Sequence, residues 1–468
     1  MKNRKRLFVS KGDVMKFQVK SSQVKSSNVL DFPVSAKTLI KYAMPTMLSS
    51  LFMNIYGLVD AFFVANWVGT DGLSAVNIVM PFLAVALAVA AMVATGGSAL
   101  VAKQLGEGKE REAKENFSFF LLFCVAVSTI LCLVGMLNRS PVLRMMGADD
   151  ALYPLCEAYA IPLFASMPAA MCGAVFQMFF VVAGRPDLSF GLSILGGVLN
   201  MIPDYVLLAV FPLGIAGAAI ATGLGYAVQG VAGLFWFTFR RKDILCLVRP
   251  KWNGKALLKA CGNGMSEMVG MLAGSVTMVS LNVIMMGIAG SNGVAAAAIV
   301  LFAQTVLSAV YMGFLEGIAP VISYKYGKGD TDNLKRLYKA SLKIIGVMSV
   351  VTFLLTFPLA KPIALLFGNG VEDVINMAVY GTKIFCIAFL LMGFNMFASS
   401  IFTAFNDGKT PAILALFRTL IFLIIPLLIL PSLLGIDGVW LALPTAEVFS
   451  AIMSVYYFKT KKAVYHYA

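Results

Sequence analysis

GTDGLSAVNI at residues 69–78 returns as GSNGVAAAAI at residues 290–299, 221 positions later. Outward from that pair, the same offset places Gly96 on Gly317, Gly106 on Gly327 and Gly108 on Gly329. Pro141 then falls on Pro362, Gly147 on Gly368, Tyr159 on Tyr380 and Phe164 on Phe385, and GIAGAAIA from Gly214 meets GIDGVWLA from Gly435. One register holds without a shift, so the chain is a tandem duplication of a unit of roughly 200 residues, far above the 20–50-residue periods of solenoid repeats. In a hydrophobic chain, a doubled unit of this size is the signature of a secondary transporter.

Composition points the same way. The chain is 59% hydrophobic and 13% charged, against roughly 25% charge in soluble domains, so most of its surface faces lipid. The seven cysteines show no metal-ligand spacing, and most sit in apolar stretches where cysteine serves as a small hydrophobe. The only histidine, His466, lies in the terminal tail, which excludes an intramembrane histidine relay. The first 36 residues are basic and polar and lack the apolar core of a cleavable signal peptide.

A spanning helix needs about 20 mainly apolar residues. Twelve segments qualify, near 40–66, 73–100, 117–137, 153–175, 187–211, 215–239, 261–288, 294–322, 337–357, 375–403, 411–432 and 437–458. Basic residues crowd the N-terminal tail (Lys2 to Lys25), the even-numbered loops (Lys103 to Lys114, Arg185, Arg240 to Lys255, Lys325 to Arg336, Lys409) and the C-terminus. The positive-inside rule therefore predicts cytoplasmic termini for a multi-pass protein of the cell (inner) membrane. Topology accounts for the net charge of +14 without invoking nucleic acid.

Six spans per half is an even number, so the halves enter the membrane the same way and the repeats are parallel. The predicted fold is an all-α integral membrane protein of twelve transmembrane helices, arranged as two parallel six-helix repeats (N and C lobes) around a central cavity. Its expected parts are a cytoplasmic basic tail at 1–36, an N-terminal lobe at 37–240, a cytoplasmic linker at 241–258, a C-terminal lobe at 259–460 and a tail at 461–468. The linker's charge suits a connector between two rocking bundles.

A carboxylate at a helix centre costs about 2.5–3.5 kcal/mol or more and is by default functional. Asp60 lies inside the first span, in NIYGLVDAFFVAN. In the fifth span, LNMIPDYVLL puts Asn200 and Asp204 at i and i+4, on one helix face. Pro203 between them frees the carbonyl of Leu199 and predicts a bend. These hard oxygen ligands (Asp60, Asn200 and Asp204) can hold a small metal cation such as Na+, or a proton shared between carboxylates.

The second half has its own polar groups: Glu267, Glu316 in YMGFLEGIAP, Arg418 and Glu447. Glu267 sits near the cytoplasmic end of its span, where snorkelling or loop pairing competes with a transport role. Glu316 is deeper and could face the cavity. Arg418 calls for a carboxylate or carbonyl partner between helices, since an unpaired guanidinium there is costly. The 26 methionines and 35 phenylalanines suit a deformable cavity for cations, although packing explains most of them.

Several stretches together resemble the multidrug and toxic compound extrusion (MATE) family. They are Pro45 followed by VDAFFVANWVGTDGLSAVN, GEGKEREA after the second span, LNMIPDYVLL, GIAGAAIAT opening the sixth span, and PVISYKYGKGD after the eighth. The resemblance runs from about Lys37 to Phe458. It implies an alternating-access antiporter, not an enzyme, that works as a monomer in the bilayer. Such a protein exports organic cations and drugs, antibiotics among them, with Na+ or H+ as the coupling ion and no other cofactor. In the branch with an N-terminal-lobe cation site, the ligand pattern falls here on Asp60, Tyr159, Asn200, Asp204 and Thr222. Proline at 203 departs from what the family often carries. The repeat offset takes Asp60 to Leu281 and Asp204 to Ile425, so the acids belong to one lobe only.

Three rivals remain. A flippase of lipid-linked sugars would need a more cationic cavity. A membrane enzyme on lipid-linked substrates would need acidic, histidine or metal-binding groups on interfacial loops. A passive channel would need a filter-like ring, and none is apparent.

Overall fold

The computed structural model describes residues 29–211, 213–241, 243–368 and 370–468, and it is helical almost throughout. The basic residues Lys2 to Lys25 of the expected tail, and Lys242 of the linker, lie outside the described residues. The N-terminal lobe contains α1 (Ala36–Trp67), α2 (Thr70–Gly106), α3 (Glu110–Leu137), the short α4 (Arg139–Met145), α5 (Tyr153–Val182), α6 (Pro186–Tyr205) and α7 (Ile215–Phe239). The C-terminal lobe follows with α8 (Gly254–Lys328), α9 (Thr331–Phe367), α10 (Glu372–Phe385), α11 (Phe389–Ala404), α12 (Lys409–Leu416), α13 (Phe422–Leu434) and α14 (Ile436–Tyr465).

Among the described residues, ten helices, counting α10–α11 and α12–α13 as continuous, are long and apolar enough to cross a membrane. The 75-residue α8 is two spans joined at Gly290, whose φ of 62° breaks the helix. With α1, of 32 residues, this gives the twelve expected spans. Gly69, the repeat partner of Gly290, caps α2 with a φ of 85°. Both positions require the left-handed backbone that glycine adopts without penalty, which is why the opening motif survived in both halves.

The repeat is also visible in how the lobes touch. A Cβ on Gly106 would lie 2.1 Å from the carbonyl oxygen of Tyr324, and a Cβ on Gly327 would lie 2.2 Å from that of Lys103. The offset exchanges these two contacts, since Gly106 maps to Gly327 and Lys103 to Tyr324. Gly96 presses on Ala260 and Gly264, and its partner Gly317 presses on Ala43 and Thr46. The Thr46 hydroxyl donates to the Gly313 carbonyl at 2.7 Å, and Asn406 donates to the Ala99 carbonyl at 3.3 Å. These contacts join α1, α2, α8 and the turn after α11 on the side of the loops at 107–109 and 329–330, here called the basic end. One apolar core joins both lobes at this end. Separate cores lie within each lobe farther away. The lobes are therefore zipped together at the basic end.

Two chain segments reinforce that closure. Ahead of α1, Leu30 is fully buried in the shared core, Val29 packs on Gly184 of the N lobe, and Asp31 pairs with Lys325 and Lys328 of the C lobe. The segment before α8 is fastened to the N lobe rather than hanging free. Val248 N–H donates to Ser118 Oγ at 2.9 Å, and Leu245 is fully buried. Asn253 donates to Asn116 Oδ1 while its own Oδ1 caps Ala256 N–H, both at 3.1 Å. Consequently α8 starts at Gly254, inside the stretch expected to be linker.

Candidate functional site

Three N-lobe helices bring the predicted ligands together. Close packing through small residues sets the spacing: a Cβ on Gly225 of α7 would sit 2.9 Å from the Gly196 carbonyl of α6, and Gly197 of α6 rests on Phe52 and Tyr56 of α1. This brings Asp60 of α1 beside Asn200 and Asp204 of α6. Asn200 Nδ2 donates to Thr222 Oγ1 of α7, a long contact at 3.4 Å. Tyr159 of α5 is buried, with Asp60, Asp204 and Tyr226 within electrostatic range. The structure therefore gathers the five residues that the resemblance selected in one region of the N lobe.

The site holds more acceptor capacity than the protein satisfies. Asp204 is fully buried and Asn200 is 3% exposed. Asp60 Oδ1, Asn200 Oδ1 and both oxygens of Asp204 are buried without a hydrogen-bond donor. Buried acceptors are normally satisfied, and leaving one unmade costs about 1–3 kcal/mol. Four together, two of them on one carboxyl, describe a cradle for a cation or a proton. Among the described residues no group of three His, Cys, Asp or Glu side chains could hold a metal ion. Carboxylate and amide oxygens are hard donors, the type that suits alkali and alkaline-earth ions rather than soft transition metals.

Helix geometry sharpens Asp204. Pro203 cannot donate to the Leu199 carbonyl, and a π-helical turn at Val206–Val210 follows soon after the acid. Such wide turns are common where a helix is held off regular geometry at a functional position.

Sequence reasoning missed two side chains here. Tyr56 and Tyr226 lie within electrostatic range of Asp60, and Tyr226 within that of Tyr56. A usable signal existed, because Tyr56 precedes Asp60 by four residues and Tyr226 follows Thr222 by four, the spacing of one helix face.

The C-lobe residues form a different arrangement. Arg418 lies in a π-helical turn, Phe417–Ile421, and finds the partner the sequence could not name. Its Nε donates to Glu447 Oε1 and Oε2 at 3.0 and 3.3 Å, and its second guanidinium nitrogen meets Oε1 at 3.0 Å. Glu447 is 1% exposed and also accepts from Asn395 Nδ2 at 2.6 Å, while Ser454 donates to Asn395 Oδ1 at 3.0 Å. This is a satisfied network, unlike the N-lobe site. Glu267 and Glu316 line a cavity of about 320 Å³ between the lobes, which Arg418 also reaches. Glu316 accepts from the Ser50 hydroxyl of α1 at 3.4 Å.

Comparison with known proteins bears on both lobes. The family model MatE matches twice, at residues 45–206 and 268–428, once per half. The multidrug export protein MepA of Staphylococcus saprophyticus is 24% identical over 424 residues, covering 90% of this chain and 92% of that protein. Among solved structures, MATE in complex with MaL6 superposes with a TM-score of 0.87 at 21% identity, covering 94% of this chain and 99% of that one. An outward-facing multidrug resistance MATE family transporter of the MOP superfamily gives 0.85 at 22% identity, covering 95% and 99%. At such identities the structural likeness establishes the fold.

Proposed function

The chain belongs to the MatE family, and from that premise we propose that it is a cation-coupled antiporter that exports organic cations, including drugs, by alternating access. The observation that carries this reading is the pair Asp60–Asp204, brought together from two helices with buried acceptors left open. Two carboxylates in one dry site can hold Na+ or share a proton, and either event removes the cost of leaving them unmatched.

Asp60 would act as the movable ligand, because α1 also contacts the C lobe through Thr46 and Ser50. Asn200 and Asp204 would supply the fixed face, with Thr222 orienting Asn200 and Tyr159 closing the site. Loading the site favours one position of α1, and binding a bulky cation favours the other. Exchange then follows from differential affinity for the two states. The units that move against each other are the lobes at 37–240 and 259–460, joined by 241–258, in a protein that functions as a monomer. With the basic end in the cytoplasm, the zipped lobes correspond to an outward-facing state.

A lipid-linked sugar flippase draws less support. Its phosphate would meet Glu267 and Glu316 in the inter-lobe cavity, where the one guanidinium is already held by Glu447.

Ethidium efflux from proteoliposomes under an imposed sodium gradient, then a proton gradient, tests the reading. Efflux accelerated by one gradient supports antiport and names the coupling ion. Indifference to both, from correctly inserted protein, would refute it.

A further inference from the structure

We propose that the outward-facing groove between α6 and α7 is a binding site for one anionic phospholipid of the basic-end leaflet, with an acyl chain along the groove and the phosphate on Arg240 beside Trp236. The inference goes beyond the antiporter reading and does not depend on it.

The groove has the dimensions of one acyl chain. α7 packs on α5 and α6 of its own lobe, which leaves its other face to the bilayer. α6 and α7 touch closely where Gly225 meets Gly196, and alongside that contact they leave a space of about 640 Å³. Leu188, Leu192 and Leu199 form one wall, and Leu224, Val231 and Phe235 the other. Every remaining lining residue is alanine, valine or Trp236. Val231 and Phe235 are both 65% exposed, so the space opens outward rather than into the core. From Leu224 to Phe235 the rise of a helix covers roughly 16 Å, about half of the ~30 Å hydrocarbon thickness. The groove therefore runs the depth of one leaflet.

The charged mouth selects the headgroup. Trp236 closes the groove at its basic end, with the guanidiniums of Arg185 and Arg240 at 5.1 and 4.5 Å from its ring. Arg185 is already held by both oxygens of Asp187 at 3.1 Å, and Asp243 also bears on it by charge. Among the described residues neither Arg240 nor its exposed neighbour Arg241 makes an ion pair. Three arginines against two aspartates leave one positive charge, which matches the single negative charge of a phosphodiester. Trp236 gives an independent sign of a missing partner: its indole N–H is buried with no acceptor. A buried tryptophan N–H ordinarily has one, and a phosphate or ester oxygen supplies it. Basic pockets between helices on the cytoplasmic side are suited to anionic headgroups for the same electrostatic reason.

The groove also borders the N-lobe acid site. Leu199 and Leu224, at its deep end, lie one and two positions from Asn200 and Thr222. An acyl chain there bears on the same helix pair that carries the Asn200–Thr222 contact, so lipid occupancy sets the spacing across which that contact is made.

The test is a lipid titration of the purified full chain in detergent, read by native mass spectrometry. The probes are phosphatidylglycerol and phosphatidylcholine with identical acyl chains. The wild type should retain one phosphatidylglycerol in preference to phosphatidylcholine. Arg240→Gln should weaken the anionic lipid by about fivefold, the scale of one basic residue at an anionic surface, and leave phosphatidylcholine unchanged. Val231→Trp, on the bilayer-facing wall, fills the groove and should displace both lipids. Lys255→Gln, which removes an exposed charge outside the groove, should change nothing. Equal retention of the two lipids by the wild type would overturn the proposal. So would full preference in Arg240→Gln, wild-type retention in Val231→Trp, or an equal loss in Lys255→Gln, which marks diffuse attraction to the basic surface.

Discussion

At the repeat offset, the N lobe carries Asp60 and Asp204 where the C lobe carries Leu281 and Ile425. The C lobe carries Glu267, Glu316, Arg418 and Glu447 where the N lobe has Thr46, Thr95, Gly197 and Tyr226. None of these six positions is charged in both lobes, although the inter-lobe glycines recur in register. Tyr159 and Tyr380 share a position too, yet the first is 1% exposed at the acid site and the second is 50% exposed. Packing positions must stay equivalent because each lobe presses the same surface on the other. Intramembrane charges are expensive, and they persist only where a partner or a ligand compensates them. The C-lobe pair has found its partner within the protein, and the N-lobe acids have not.

That contrast can be broken, beginning with the largest effect. Asp204→Asn should reduce gradient-driven ethidium efflux to the level of empty liposomes while the protein still inserts and migrates as a single species. Efflux near wild-type rate would mean that the N-lobe acids are structural. Arg418→Met should lower unfolding stability by about 3–5 kcal/mol, because Glu447 is then buried without a counter-charge. Adding Glu447→Met should restore most of the loss in a detergent melt. If both variants melt alike, the pair does not act as a closed unit.

Leu281→Asp builds the missing acid into the C lobe. The structure predicts a cost of about 2.5–3.5 kcal/mol with no second coupling site, since Asn200 and Asp204 correspond there to Ile421 and Ile425. Unchanged melting, or a raised ion stoichiometry, would show that the scaffold alone makes the site.

The smallest effect concerns the zipped end. Burial works against the Asp31 carboxylate, but hydrogen bonds from Lys325 and Lys328 outweigh it and hold the group below its ordinary value. A depressed carboxyl contributes stability above its unfolded pKa and loses it as pH falls through the folded one. Asp31→Asn should therefore destabilise by at most about 1 kcal/mol at neutral pH after screening, and the difference from wild type should fade below pH ~4. A gap that widens on acidification would contradict the assigned partners.

Much of this was legible in the sequence, for identifiable reasons. The glycines at 69 and 290 announced the duplication because backbone conformation demands them. Asp60, Asn200 and Asp204 stood out because acids and amides are rare in apolar runs, and helix periodicity put two of them on one face. Tyr56 and Tyr226 did not stand out, since aromatic residues are common in such runs and only the spacing to Asp60 and Thr222 marks them. The Arg418–Glu447 pair joins two spans at a separation no periodicity encodes. The anchoring of Val248 and Asn253 escaped because a charged composition says that a segment is solvated, not what it is tied to.

The central claim is that Asp60 and Asp204 couple ion to cargo without forming the cargo site. The most direct test measures two properties of Asp60→Asn in parallel: organic-cation binding in detergent, and efflux from proteoliposomes under the gradient that drives the wild type. The account predicts cargo binding that is retained but no longer responds to Na+ or pH, with efflux reduced to background. Gradient-driven efflux at the wild-type rate would contradict it, and loss of binding together with efflux would merge the two sites into one.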